Sequence, residues 1–206
     1  MAERRVQVRG GKDAVLQAAV ANFARLGYHG TTMRDIARDA EITVASIYHH
    51  FPSKQRMLQD IMARTLSDLI ALTRGALLRA GSSPTEQLTA LMRAWALFHT
   101  SSRAEALIGA SEIRSLDETG RRLVVALRDE QEAMFRDVVE RGVAEGEFTT
   151  PYPREAVRAI ISMGYSIASW YHPGGELSPE QLADRYAALA LGTVGGLDIP
   201  DSRGQG

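Results

Sequence analysis

The chain has no cysteine among its 206 residues. That excludes a disulfide framework, a thiolate nucleophile and a cysteine-held zinc ion, and it fits a reducing cytoplasm. No run of about 18 apolar residues occurs, so no membrane-spanning helix is expected. The first eleven residues are polar and basic (Arg4, Arg5, Arg9) and lack the apolar core of a secretory signal. Catalytic constellations are missing too: there is no HExxH pair, no glycine-rich phosphate loop and no nucleophile elbow. His99 and His172 stand alone, and the adjacent His49 and His50 would point about 100° apart on a helix, poor geometry for one metal ion. The expectation is a protein that is not an enzyme, with no cofactor and no metal. Lysine is scarce as well. Lys12 and Lys54 are the two, arginine supplying the rest of 24 basic residues against 25 acidic ones. A net charge of −1 rules out a broad basic field, yet residues 1–60 hold 9 basic against 6 acidic groups and the remainder 15 against 19. The front of the chain is mildly positive, the body negative, and any affinity for a polyanion must come from a few well-placed contacts.

What is present is helical periodicity. Met33, Ile36, Ala37 and Ala40 recur at i, i+3, i+4 and i+7, the stripe a 3.6-residue helix buries, while Arg34, Asp35, Arg38 and Asp39 fall on the wet side. Thr32 with Asp35 three residues on is a capping signature. After Ala40 the pattern breaks at Glu41-Ile42-Thr43, and Thr43 caps a second helix with Ile47 and Phe51 on its inner side. Left facing outward are Thr43, Val44, Ser46, Tyr48 and His49. A solvated helical hairpin would show the same spacing. Hydroxyls, small apolar groups, a phenol and an imidazole on one face instead suit a recognition helix in the major groove of DNA. Phe51-Pro52 ends that helix and Ser53 caps the next, which puts Lys54 at a helix N-terminus, where a cation is unwelcome unless an anion such as a phosphate is near. The candidate DNA contacts are therefore Thr31, Thr32 and Arg34, then Thr43, Val44, Ala45, Ser46, Tyr48 and His49, and Lys54 beyond them. The basic N-terminal arm is a further candidate for phosphate or minor-groove contact.

The run Phe23-Ala24-Arg25-Leu26-Gly27-Tyr28-His29-Gly30-Thr31-Thr32-Met33-Arg34-Asp35-Ile36-Ala37, followed by Ile47-Tyr48-His49-His50-Phe51-Pro52-Ser53-Lys54, resembles the DNA-binding domain of the TetR family of bacterial transcriptional regulators. The likeness covers the first quarter to third of the chain. It implies an all-α protein, with a three-helix helix-turn-helix head and a helical-bundle domain for ligand and dimerisation. It also implies repression relieved by a small molecule. Glu41 stands where the family usually has glycine, so a left-handed turn there would carry strain, and His50 stands where a second aromatic is frequent.

Beyond the head, the first helix is expected from Lys12 to Leu26, a long one from Ser53 to about Ala80, and others from Pro84, Glu105, Glu118, Arg154 and Ser178. Ser83-Pro84-Thr85-Glu86 and Ser178-Pro179-Glu180-Gln181 each combine cap, proline at the first helical position and capping-box partner. On the 118–145 helix the expected buried stripe is Leu123, Val124, Leu127, Met134, Val138 and Val139. Small residues on the last two helices (Ser162, Gly164, Ala168; Ala187, Ala188, Ala190, Gly192, Gly195) suit close packing with a second copy, hence a homodimer on a pseudo-palindromic double-stranded operator. The division expected is 1–55 for DNA and 56–206 for effector and dimer. Effector candidates, on the rule that bundles bind ligands between helices, are Trp95, Phe98, His99 and Arg103 with Met163, Ile167 and Trp170. The tail from Ala168 to Gly175, with Leu177 to Ala183, is similar to TetR-family regulators of fatty-acid and sterol catabolism. That likeness implies a coenzyme A thioester, with Arg103, Arg121 or Arg122 meeting its phosphates. A competing reading keeps the fold as a helical adaptor that binds protein in place of DNA, and it forecasts no salt-sensitive DNA binding.

Overall fold

The computed structural model describes residues 11–195, and the basic arm ahead of Gly11 lies outside them. Among the described residues the order is α1 (Lys12–Leu26), α2 (Met33–Asp39), α3 (Val44–His50), α4 (Lys54–Arg79), α5 (Pro84–Ser101), α6 (Arg103–Ser111), a 3-10 turn (Ile113–Ser115), α7 (Glu118–Ala144), α8 (Pro153–Trp170) and α9 (Pro179–Val194). No strand appears among them, and no described helix is long and apolar enough to cross a membrane. Two compact units result: one takes the described chain up to Ser67 with Ser102–Leu127, the other Asp68–Ser101 with the described chain from Arg128 on.

The first unit folds around Val15, Ala19 and Phe23 of α1, Ile36 and Ala37 of α2, Ile47 of α3, Phe51 and the start of α4, with Ile108, Leu116 and Val124 closing the same core. Its helix starts are set by side chains. Thr32 and Asp35 form the reciprocal capping box, and Thr43 accepts from the amide of Ser46. Glu41 does sit in the left-handed region, at φ 56°, so the turn between α2 and α3 keeps the geometry that a glycine would adopt without strain. The helix expected from Glu105 to Leu116 differs. It ends at Ser111, and the 3-10 turn follows, where the Ser115 hydroxyl donates to the Glu112 carboxylate at 2.8 Å and so offers the backbone a competing geometry. Asp117 then accepts from the amide of Gly120 at 2.7 Å and starts α7. On α7 Val124 faces inward, whereas Leu123 is 40% exposed and joins Val125 at the surface, contrary to the expected stripe.

The second unit is built on α5, whose Leu88, Leu91, Met92 and Trp95 are fully buried against α7, α8 and α9. Both expected proline-start caps form, at Ser83 with Glu86 and at Ser178 with Gln181. The small residues divide. Gly164, Ala168, Ala187 and Ala190 are used for packing inside the chain, while Ser162, Ala188, Gly192 and Gly195 stay exposed. Gly164 shows why: a Cβ there would lie 1.8 Å from Cδ1 of Trp95, so only glycine admits the indole edge.

Candidate DNA-reading face and effector site

The turn Gly27–Thr31 positions the reading pair, and its construction reassigns two candidates. Gly27 ends α1 at φ 74°, and a side chain on Gly30 would put its Cβ 2.4 Å from the Leu26 carbonyl oxygen. Thr31 is buried and its hydroxyl donates to the Gly27 carbonyl at 2.8 Å. The Lys54 ammonium donates to the carbonyls of Tyr28 (2.6 Å) and Thr31 (2.7 Å) and lies 4.4 Å from the centre of the Tyr28 ring. Burial holds its pKa below the usual lysine value, the Glu112 charge working the other way. Thr31 and Lys54 were expected to touch DNA. Their polar atoms are instead occupied in holding the turn, because chain folding brings two carbonyls and an aromatic face to where a phosphate was expected.

The remaining head candidates are outward or nearly so. Thr32 and Arg34 are exposed at the start of α2, the Thr32 hydroxyl donating to the Asp35 carboxylate at 2.6 Å. That bond, the Thr32 amide and Arg38 keep the Asp35 carboxyl below the usual range. Buried Asn22 ties α1 to α2, donating to Asp39 at 2.8 Å and to the Ala18 carbonyl, and it lowers the Asp39 pKa. Arg25 and Arg38 pair with Asp39, and Arg56 and Lys12 with Asp60. Arg34 has no ion pair among the described residues, which leaves it as a cation available to an incoming anion. On α3, Thr43, Ala45, Tyr48 and His49 are exposed, Tyr48 by half, and Ser46 is half-buried with its hydroxyl 2.8 Å from that of Thr43. Val44 is not fully outward: it packs partly against the head's core.

In the second unit the structure gathers some effector candidates and separates others. Trp95 lies at the middle of an aromatic group, its ring 4.8 Å from His99, 5.1 Å from Tyr165 and 5.5 Å from Phe135, with Phe98 against His99 at 5.6 Å. His99 Nδ1 is 2.8 Å from the Trp95 carbonyl, so it carries the proton and Nε2 keeps a lone pair. Burial pushes the His99 pKa down to about 4, which leaves the ring neutral. Burial also raises the Tyr165 phenol. Two buried donors here have no acceptor: Trp95 Nε1 and Gln131 Nε2, although Gln131 Oε1 accepts from Thr73 at 3.1 Å. Gln131, Thr73, Phe135 and Tyr165 were not among the sequence candidates; a glutamine at a buried register position of α7 was the available signal. Met163 packs half-buried on the same cluster, and Ile167 belongs to a smaller one with Ala96, Tyr171, Leu182 and Ala183. Trp170 lies apart from the gathered rings, 44% exposed and stacked on Tyr186. Arg103 opens α6 in the first unit, and Arg121 and Arg122 are both paired with Glu118.

A capped helix pair with an outward hydroxyl- and phenol-bearing face, joined in one chain to a bundle that keeps unmatched donors inside, defines a DNA-binding regulator of the helix-turn-helix class. Residues 15–61 match the family model for bacterial regulatory proteins of the tetR family, and residues 81–194 match that for the tetracyclin repressor-like C-terminal domain. The HTH-type transcriptional repressor KstR2 of Mycolicibacterium smegmatis is 35% identical over 89% of this chain and 90% of its own. Among solved structures, the ketosteroid transcriptional regulator KstR2 of Mycobacterium tuberculosis aligns with a TM-score of 0.81 at 29% identity, over 93% of this chain and 100% of that one. AibR, solved in complex with isovaleryl coenzyme A and operator DNA, aligns with a TM-score of 0.80 at 25% identity, over 87% and 97%. The chain belongs to the TetR family of bacterial transcriptional regulators, which are not enzymes.

Proposed function

We propose that the chain works in the cytoplasm as a homodimeric repressor, gripping a pseudo-palindromic operator through α2 and α3 and releasing it when a coenzyme A thioester enters the second unit. The observation that carries the effector half is that two N–H groups buried in the second unit lack an acceptor, Gln131 Nε2 on α7 and Trp95 Nε1, the indole ring lying 4.8 Å from the neutral His99 imidazole. A buried donor without an acceptor costs about 1–3 kcal/mol, and a ligand carbonyl or hydroxyl would recover it. The AibR complex, with coenzyme A thioester and operator in one crystal, supports that ligand class. Residues 1–55 would read DNA and 56–206 sense and dimerise. Within the head, Thr32, Arg34, Thr43, Ala45, Ser46, Tyr48 and His49 are the contacts we assign to bases and phosphates. Exposed Ser162, Ala188, Gly192 and Leu189 on α8 and α9 support a close helix-to-helix dimer, with half-sites one DNA turn apart, about 34–36 Å.

The test is an electrophoretic mobility shift on the chain's own upstream DNA at several salt concentrations, with and without thioesters. Binding that weakens steeply with salt and is abolished by a thioester is the expected result. A retained shift at saturating thioester overturns the effector reading. No shift at any salt concentration overturns the operator reading.

A further inference from the structure

We infer that the cleft between α7 and α8 seats the phosphate-bearing end of the effector; this rests on the effector reading above. The cleft is about 410 Å³ and is lined by Glu132, Arg136 and Glu140 of α7 and Arg154, Val157 and Arg158 of α8. Elsewhere in this unit Arg74 meets Glu130, Arg93 meets Asp184 and Arg141 meets Glu145, while Arg79 and Arg185 stand singly without an ion pair among the described residues. The three cleft arginines do not pair with any described carboxylate. Arg136 is the telling case. Glu132 stands four residues before it and Glu140 four after, the spacing at which helical ion pairs form, and neither is within pairing distance.

The α8 side adds a second argument. Arg154 and Arg158 are like charges at i, i+4, which repel on a helix, and Arg154 lies in the first turn, where the helix dipole is already positive. Three arginines without an ion pair against two carboxylates, Glu132 and Glu140, leave the cleft with an excess of positive charge, and Glu155 is the one acidic group in the first turn of α8; that excess suits a polyanion. Arginine's planar fork meets phosphate oxygens two at a time. The cleft also touches the buried site. Val157, 2% exposed, lines it and belongs to the same apolar cluster as Trp95 and Phe135. Glu132 acts on the Tyr165 phenol from the cleft side. A ligand anionic at one end and apolar with a single acceptor group at the other matches both halves, and coenzyme A thioesters have that form. Arg121 and Arg122, the sequence candidates for the phosphates, are already held by Glu118.

Isothermal titration of the full chain with acetyl, isovaleryl, octanoyl and palmitoyl coenzyme A, and with the matching free acids, tests this. Wild type binds at least one thioester more tightly than its acid. R154Q/R158Q weakens that thioester by about 100-fold, roughly tenfold for each lost charge-assisted bond, while its melting temperature stays near wild type. R154K/R158K recovers part of the loss, and R136Q weakens binding by about tenfold. A double variant that binds the thioester like wild type overturns the seat. So does a wild type that binds free acid as tightly as thioester, an outcome that leaves the effector reading standing. Failure to bind either kind of ligand removes both.

Discussion

Set side by side, the turn that holds the reading pair and the buried heart of the second unit treat polar groups in opposite ways. Around Gly27–Thr31 the inward polar atoms are matched: Thr31 to Gly27, Lys54 to two carbonyls, Asn22 to Asp39 and Ala18, Tyr28 to Gln55. The two unmatched buried donors, Trp95 Nε1 and Gln131 Nε2, both fall in the second unit. Full satisfaction makes a segment rigid and single-valued, as a surface that must match base edges requires. Incomplete satisfaction raises the energy of the empty state and leaves something for a ligand to complete. The contrast supports the proposed division, recognition in one unit and response in the other.

The largest effect expected concerns His99. Its folded pKa of about 4 lies below the usual 6.5, so between these values the unfolded chain binds a proton that the native one refuses. Stability is therefore fully present above about pH 6.5 and falls as the pH drops toward 4, by roughly 3 kcal/mol over that span. Urea titrations of wild type and His99→Phe across this window check it. The two curves should converge as acid is added, and parallel curves would mean that His99 titrates normally.

A smaller pair of changes addresses the contrast directly. Asn22→Ala in the head removes the fully buried amide that ties α1 to Asp39 of α2 and should cost about 1–3 kcal/mol. Gln131→Leu in the second unit removes an unmatched donor and should be near neutral for the empty protein, yet weaken the thioester response. If Gln131→Leu destabilises the empty protein as much as Asn22→Ala does, the two regions do not differ in the way described.

Smallest are the changes in salt dependence. Arg34→Ala should flatten the slope of operator affinity against salt by about one unit, the signature of a lost phosphate contact. Lys54→Ala should leave that slope unchanged and instead cost about 1–2 kcal/mol of stability, because two carbonyls lose their donor. Reversal of the two outcomes would return Lys54 to the DNA contacts.

Much of this molecule is set by neighbours along the chain. Thr32 with Asp35, Thr43 with Ser46, Ser83 with Glu86 and Ser178 with Gln181 each meet within three residues. Caps, helix starts, the inward stripe of α2 and most of the outward set on α3 were accordingly legible as pattern. The departures share one cause, which is that a distant group arrives. Lys54 finds carbonyls 23 and 26 positions back, Gln131 finds Thr73 58 positions back, and Gly164 makes room for Trp95. Arg136 passes over its helical neighbours to face two arginines on another helix. Periodicity records which side of a helix is apolar and is silent about what lies opposite. Helices and their ends thus belong to the sequence, through interactions short enough to repeat along it. Which cation holds a turn, which donors go unmatched and where three arginines meet were decided by packing, because those energies depend on closeness in space between residues with no fixed spacing in the chain.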